Sequence, residues 1–376
     1  PAVPMDGALA LRLRGAGVPV LSEIELGFRS AKGQIIGITG TNGKTTTTTL
    51  VGEIMRAARP SVFVVGNIGF SYAGIAGETK EDTVCVAEIS SFQLEGIETF
   101  HPGVSAILNI TPDHLNRHHT MENYIAAKER ITENQTKEDF AVLNYEDAAL
   151  RAFGQERCPA QVIWFSSARA LADGYYLQGE EIFHAQGGRA QRLMNIHEMR
   201  LVGLCNVENV MAAIAMTSAM GVPMETILSV IRTFAPVEHR IEFVATKRGV
   251  DYYNDSKGTN PDAAIQGIRA MSRPTILIGG GYDKESVFDE WIEAFDGKVR
   301  ELVLIGQTRE KIAACARAHG FTAITLCDSF EEALEHCTAA AREGDAVLLS
   351  PACASWGMFP NYEVRGQVFK EYVKNL

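Results

Sequence analysis

The chain has 376 residues, enough for two or three domains with ample cores, and carries a net charge of −11 at pH 7. Without a clustered Lys/Arg stripe, that acidic balance argues against a nucleic-acid or membrane-surface partner. Its apolar runs are strand-length, short of the roughly 20 residues a bilayer-spanning helix needs, and its seven scattered cysteines form no CxxC pair or zinc spacing, so reduced thiols in a cytoplasm are expected.

The chain opens at Pro1 rather than Met, so its true start is expected upstream. Residues 34–39 predict a strand and 45–58 the helix behind it. Further strands are expected at 61–65, 83–89, 105–110 and 140–144, each ending in polar residues, where open α/β sheets place their ligands. Around 175–200 the pattern changes to short, Gly-broken strands, read as a small antiparallel patch. Helices at 205–220 and 224–233 follow, and Pro236 marks a boundary. A second α/β unit then predicts strands at 250–254, 275–278, 301–305, 323–326 and 346–349. Helices are expected between them at 262–270, 287–295, 311–319 and 330–341. Alternating strands and helices argue for an α/β fold with mostly parallel sheets, and two such units joined at one hinge make a cleft enzyme the expectation.

The run Gly37-Ile-Thr-Gly-Thr-Asn-Gly-Lys-Thr45 joins the first strand to its helix. Gly40 and Gly43 let the backbone turn its N–H groups toward a polyphosphate, and the helix N-terminus adds partial positive charge. Lys44 is placed to reach β- and γ-phosphates, and the Thr45 hydroxyl to ligate Mg²⁺. The spacing departs from strict GxxxxGK[ST], since Ile38 holds the first Gly position. The loop is read as an ATP site.

Glu88 ends a strand, just before Ser90-Ser-Phe-Gln93. A carboxylate beside a triphosphate needs a cation between them, so Glu88 is a candidate Mg²⁺ ligand, the alternative being a helix-capping carboxylate. His114 also follows a strand, in Asn109-Ile-Thr-Pro-Asp-His114, and is either a structural histidine or a ligand. Lys128 lies in an amphipathic pattern over 124–131, which by composition alone makes it a solvated surface lysine.

With these residues in view, the chain resembles the Mur ligase family of ATP-dependent amino-acid-adding enzymes. The motifs are Gly40-Thr-Asn-Gly-Lys-Thr45, Gly66-Asn-Ile-Gly69, Glu88-Ile-Ser-Ser-Phe-Gln-Leu-Glu95 and Asn109-Ile-Thr-Pro-Asp-His114. Tyr124-Ile-Ala-Ala-Lys128, Asn206-Val-Glu-Asn209, His239-Arg240, Asn254-Asp-Ser-Lys-Gly-Thr-Asn260 and Ser350-Pro-Ala-Cys-Ala-Ser355 continue them in family order. The resemblance implies a P-loop-type central ATPase domain at 23–236 with a mostly parallel sheet. A C-terminal Rossmann-like α/β domain that binds the amino acid would occupy 237–376. Residues 1–22 would be the remnant of an N-terminal UDP-binding domain, with Ala2 where a Gly is usual.

The implied reaction adds D-glutamate to UDP-N-acetylmuramoyl-L-alanine through an acyl phosphate, in peptidoglycan precursor synthesis, by a cytoplasmic monomer. Lys44 would stabilise the transferring phosphoryl group, Thr45 and Glu88 would hold one Mg²⁺, and His114 with a carbamylated Lys128 a second. The loop residues Gly40, Thr41, Asn42, Gly43 and Thr46 would line the nucleotide, joined by Asn206, Asn209, Arg240 and Asp255. Asn67, Ser90 and Gln93 match positions facing the muramoyl-alanine part; Lys257, Thr259, Lys284, Ser355 and Tyr362 match the amino-acid region. Closure at a hinge near Val237 and Glu238 would complete the site. Cys205 in place of a His, the variant loop Gly279-Gly-Gly-Tyr-Asp-Lys284 and Trp356 depart from the family pattern. Two other readings stand beside this one: a related ligase adding another amino acid, and a nucleotide-binding or ATPase remnant. The motifs at 254–260 and 350–355, with no Asp-Asn-Pro-Arg motif, favour D-glutamate.

Overall fold

Five of the six residues of Gln34–Thr39 (β1) are buried, the mark of a central strand covered on both faces. The structure is a computed structural model that describes residues 3–235 and 237–376. The expectations placed on Ala2 and on Pro236 fall outside the described residues. Two compact units emerge: the chain up to Leu201 with Cys205–Ala235, and Val202–Leu204 with the chain beyond Pro236.

In the first unit β1 is followed by Val62–Gly66 (β2), Val84–Glu88 (β3), Val104–Ile107 (β4), Phe140–Asn144 (β5) and Gln161–Ser166 (β6). Gly174–Gln178 (β7), Glu181–Gln186 (β8) and Arg189–Asn195 (β9) complete a nine-stranded sheet ordered β2-β3-β1-β4-β5-β6-β7-β8-β9. Pairing is parallel from β2 to β7 and antiparallel from β7 to β9. The antiparallel patch expected near 175–200 is therefore real, but it extends the parallel sheet through β6, a strand the sequence pattern did not reveal. Beside β1 the order reverses: β3 pairs on one side, with Ile38 opposite Glu88, and β4 on the other, with Thr39 opposite Ile107. The carboxyl ends of β3, β1 and β4 thus stand side by side, the place where such sheets bind ligands.

Helix Lys44–Ala58 contains five consecutive threonines, poor helix formers. Thr46, Thr47 and Thr48 are buried, and Thr49 Oγ1 donates back to the Thr45 carbonyl at 2.8 Å, so packing rather than propensity holds this segment. Helix Leu204–Ala219 is buried continuously from Asn209 to Thr217, as an inner helix must be. Helix Glu23–Ser30 is fastened by Glu25, a fully buried carboxylate that accepts from the backbone N–H groups of Glu98, Thr99 and Phe100. Burial alone would raise its pKa, but these bonds, with Thr99 Oγ1 and Arg29, hold it at about 2.

The second unit carries Glu242–Lys247 (β10), Val250–Asn254 (β11), Thr275–Gly280 (β12), Val299–Ile305 (β13), Ile324–Leu326 (β14) and Ala346–Leu349 (β15). They form a six-stranded sheet ordered β10-β11-β15-β12-β13-β14. All neighbours are parallel except the β10–β11 hairpin, whose turn residues Arg248 and Gly249 both take positive φ, as a tight hairpin demands. The helix expected over 287–295 is only Asp289–Glu293. The adjacent carboxyl ends of β11, β15 and β12 lead into Asp255, Ser350 and the Gly281–Lys284 loop.

Candidate functional site

The phosphate loop is shaped by two glycines in the left-handed region, Gly40 at φ 149° and Gly43 at φ 85°. A Cβ on Gly43 would lie 2.2 Å from Asn209 Oδ1, so the position admits glycine alone. Asn209, whose Nδ2 donates to Asn206 Oδ1 at 3.1 Å, therefore packs directly on the loop. The segment after β4 clamps the other side. Asn109 accepts from the Asn42 N–H at 2.8 Å and donates to its carbonyl at 3.1 Å. Thr41 Oγ1 accepts from the Thr111 N–H at 3.0 Å and lies 3.1 Å from the Tyr124 hydroxyl. Sequence reading gave Asn109, Thr111 and Tyr124 no role of their own. Their motif positions carried the signal, whereas the clamp itself joins residues about 70 apart in the chain. Lys44 Nζ donates to the carbonyls of Gly40 (2.8 Å) and Thr41 (2.9 Å), placing its ammonium over the loop. Thr45 and Thr46 follow in the first helical turn.

Glu88 is buried beside the loop. Its Oε1 accepts from Asn67 Nδ2 at 2.8 Å, while Oε2 is buried with no hydrogen-bond partner. A buried carboxyl oxygen denied both water and a protein partner is costly, and a bound cation such as Mg²⁺ would satisfy it. The capping alternative for Glu88 does not hold: the following helix is capped by Ser90, reciprocally with Gln93. Asn67 thus orients Glu88, and the Ser90 hydroxyl and Gln93 carbonyl oxygen are engaged with each other at 3.0 Å.

Lys128 overturns the composition-based expectation. It is not a solvated surface lysine but 1 % exposed, one of the largest fully buried side chains. Helix Met121–Glu129 turns it inward, where Nζ donates to the Gly40 carbonyl at 2.8 Å and sits 4.5 Å from the Tyr124 ring centroid. Burial first, then the Lys44 ammonium, lower its pKa far below the ordinary lysine value, partly opposed by Asp113. The charged form of this amine is therefore disfavoured relative to an ordinary lysine.

His114 sits in the left-handed region at φ 55° as the N-cap of Leu115–His118, a strained placement for a non-glycine residue. Its ring is exposed, packs on Phe92 at 4.9 Å, and lies 3.7 Å from Asp113. His118, which sequence reading missed, is the buried histidine here: it contacts Ser91 Oγ at 3.0 Å and lies against Phe92 and Tyr124. Burial lowers its pKa.

The second unit gathers its predicted residues at its own sheet end. Asp255 is fully buried, accepts from Ser350 Oγ at 2.7 Å and the Ile241 N–H at 3.2 Å, and lies 3.9 Å from Arg240. Burial pushes its pKa up to about 6 against the pull of Arg240. Lys257 lies over the Tyr362 ring at 5.4 Å, and the Tyr362 backbone carbonyl accepts from Ser256 Oγ at 2.8 Å. Thr259 follows in the same turn, its N–H bonded to the Lys257 carbonyl. The Tyr282 N–H donates to the Ala354 carbonyl, which joins the exposed Lys284 loop to the segment bearing buried Ser355. Arg365, also unforeseen, is buried and braces Ser256 and the Cys353 carbonyl. Arg240 and Asp255 thus come together in the second unit, while Asn206 and Asn209 belong to the first.

Among the described residues no helix is long and apolar enough to cross a membrane. Residues 38–217 match the Mur ligase middle domain and 239–353 the Mur ligase glutamate ligase domain. The whole chain is 59% identical over 376 residues to the UDP-N-acetylmuramoylalanine--D-glutamate ligase of Lachnospira eligens, covering 83% of that protein. It is 48% identical over 377 residues to the protein of the same name from Clostridioides difficile, again covering 83% of it. Among solved structures it resembles the UDP-N-acetylmuramate-alanine ligase MurC of Thermotoga maritima, with a TM-score of 0.68 and 20% identity over 100% of this chain and 84% of that one. The MurF ligase of Thermotoga maritima in complex with ADP gives a TM-score of 0.66 at 18% identity, over 94% and 83% of the two chains. These two share the fold. With both domain families matched and relatives alike along its whole length, the chain belongs to the Mur ligase family.

Proposed function

We propose that this chain is the ligase that joins D-glutamate to UDP-N-acetylmuramoyl-L-alanine at the expense of ATP, acting as a cytoplasmic monomer. The observation that carries the chemistry is one juxtaposition: a glycine-shaped phosphate loop, the unpartnered oxygen of Glu88 and the buried amine of Lys128 on Gly40. The identity of the substrates follows the name of its relatives.

In this reading residues 23–236 bind ATP and 237–376 the amino acid. A carboxylate oxygen of the muramoyl-alanine attacks the γ-phosphorus, ADP leaves, and an acyl phosphate forms. The amine of D-glutamate attacks its carbonyl carbon; phosphate leaves, a proton is lost and the amide remains. Lys44 moves from the loop carbonyls to the transferring phosphoryl oxygens, and the loop N–H groups hold the β-phosphate. Thr45 and Glu88 would hold one Mg²⁺, with Asn67 fixing Glu88, and His114 with Lys128 would hold a second; bound there, the ions would supply neutralisation of phosphate charge. To hold the second, Lys128 would be carbamylated: its amine, once deprotonated, would attack the carbon of CO₂ and release a proton, leaving the hard anionic oxygen donor that Mg²⁺ takes.

Asn206, Asn209, Arg240 and Asp255 serve the nucleotide, and Ser90 and Gln93 face the muramoyl-alanine. Lys284 pairs with a glutamate carboxylate, supported by Lys257, Thr259, Ser355 and Tyr362. The test is phosphate release from ATP with UDP-N-acetylmuramoyl-L-alanine and D-glutamate, L-glutamate, lysine or no amino acid. Release with a new amide product for D-glutamate alone is expected; release indifferent to the amino acid would overturn the assignment.

A further inference from the structure

Helix Asp289–Glu293 and helix Arg309–Ala318 pack together in the second unit. Asp289 and Glu293 lie four residues apart on one, Cys315 and its C-cap His319 four apart on the other, so each pair shares a helix face. His319 Nε2 lies 2.9 Å from Asp289 Oδ1, and its Nδ1 lies 3.8 Å from Glu293 Oε1. One ligand atom each from Asp289, Cys315 and His319 fall within 4.8 Å of one another, the one such group found among the described residues.

We propose that Asp289, Cys315 and His319 form a Zn²⁺ site, with water as the fourth ligand and Glu293 orienting the histidine from outside. The donor set selects the metal: thiolate, imidazole and carboxylate together suit Zn²⁺, whereas Mg²⁺ takes hard oxygens and declines sulfur. One ring nitrogen of His319 faces Asp289 and the other lies 3.8 Å from Glu293, near enough for that carboxylate to accept its N–H after a small side-chain shift. Among the described residues no Lys or Arg forms an ion pair with Asp289 or Glu293; His319 alone does. Asp289, Cys315 and His319 therefore converge without a fixed Lys or Arg among them. Metal binding would release the Cys315 proton to solvent, with the His319 ring carrying its N–H on Nδ1 and leaving Nε2 to the metal. The site is separate from Thr45 and Glu88, which lie in the first unit. It ties the helix that follows the Lys284 loop to its neighbour.

The full chain, stripped of metal, is titrated with Co²⁺ as a spectroscopic stand-in, then with Zn²⁺ as competitor. One equivalent of Co²⁺ should give a thiolate-to-cobalt charge-transfer band in the near ultraviolet, displaced by Zn²⁺ but not by excess Mg²⁺. Cys315→Ser should abolish that band, and His319→Gln, at a helix end, should weaken binding at least ~10-fold. Glu293→Leu, which removes the outer carboxylate, should weaken it by about 10-fold. A folded protein that gives no such band, or a band that persists in Cys315→Ser, overturns the proposal. So does equal Zn²⁺ affinity in wild type and His319→Gln.

Discussion

Replacing Lys128 with methionine separates stability from function in a way the geometry makes quantitative. The amine makes one hydrogen bond, to the Gly40 carbonyl, worth about 1 kcal/mol net. Removing it leaves no orphan, because the same carbonyl also accepts from Lys44 at 2.8 Å. Against that loss stands the cost of keeping a polar amine dry, about 1–3 kcal/mol, and its repulsion from Lys44. Methionine has similar length and fills the same space. Lys128→Met should therefore be at least as stable as wild type in urea titrations in CO₂-free buffer.

The pH dependence has a definite sign. The folded-state pKa of Lys128 lies below its unfolded value near 10.5, so the unfolded chain binds more protons between the two. Wild-type stability then rises with pH through that window, and the advantage of the variant is largest below it and smallest above. If Lys128 carries the proposed carbamate, activity should move the other way, falling at least ~10²-fold, because that oxygen donor would be gone. A loss of more than about 2 kcal/mol, or turnover within about 3-fold of wild type, would refute this reasoning.

Other expectations follow from single contacts. Glu25→Gln should lose about 3 kcal/mol at neutral pH, since a carboxyl held at about 2 instead of 4.5 contributes that much. The difference from wild type, read by urea titration, should be full above pH 4.5 and fade as pH falls toward 2; a pH-independent gap would count against it. Gly43→Ala should weaken ADP binding at least ~10-fold by calorimetry, from a left-handed backbone and a clash with Asn209. Gly77→Ala, which meets nothing within 4 Å, is its neutral control. Glu88→Gln keeps an oxygen for Asn67 and should still fold, yet phosphate release should drop ~10²-fold and need more Mg²⁺; an unchanged Mg²⁺ titration would remove Glu88 from the metal site.

The parts of this molecule legible in sequence are those whose signal is local. The strand at Gln34–Thr39 and its glycine-rich loop announce themselves because a backbone turning on phosphate needs Gly and Lys at fixed spacing. Lys128 was illegible from pattern alone. A lysine in the 124–131 pattern reads as a surface residue because lysines are rarely buried, and the Gly40 carbonyl it serves lies 88 residues earlier in the chain. Glu25 hides for the same reason: it looks like a first-turn helix acid, yet it serves the backbone of Glu98–Phe100. Strand β6 escaped notice because only its last two residues, Phe165 and Ser166, are fully buried, and β10 because it is a half-exposed edge. Family motifs recovered the pieces that periodicity could not, while Tyr124, His118, Ser350 and Arg365 emerged only once the chain was folded.

The central claim is that this chain activates a carboxylate as an acyl phosphate before the amine attacks. It is tested most directly by preparing UDP-N-acetylmuramoyl-L-alanine with its terminal carboxylate labelled with ¹⁸O and running one round of turnover with ATP, Mg²⁺ and D-glutamate. The account predicts that each phosphate released carries one oxygen from the labelled carboxylate, in step with the amide formed. Phosphate that emerges unlabelled would mean that water took the γ-phosphoryl group, and would contradict the account.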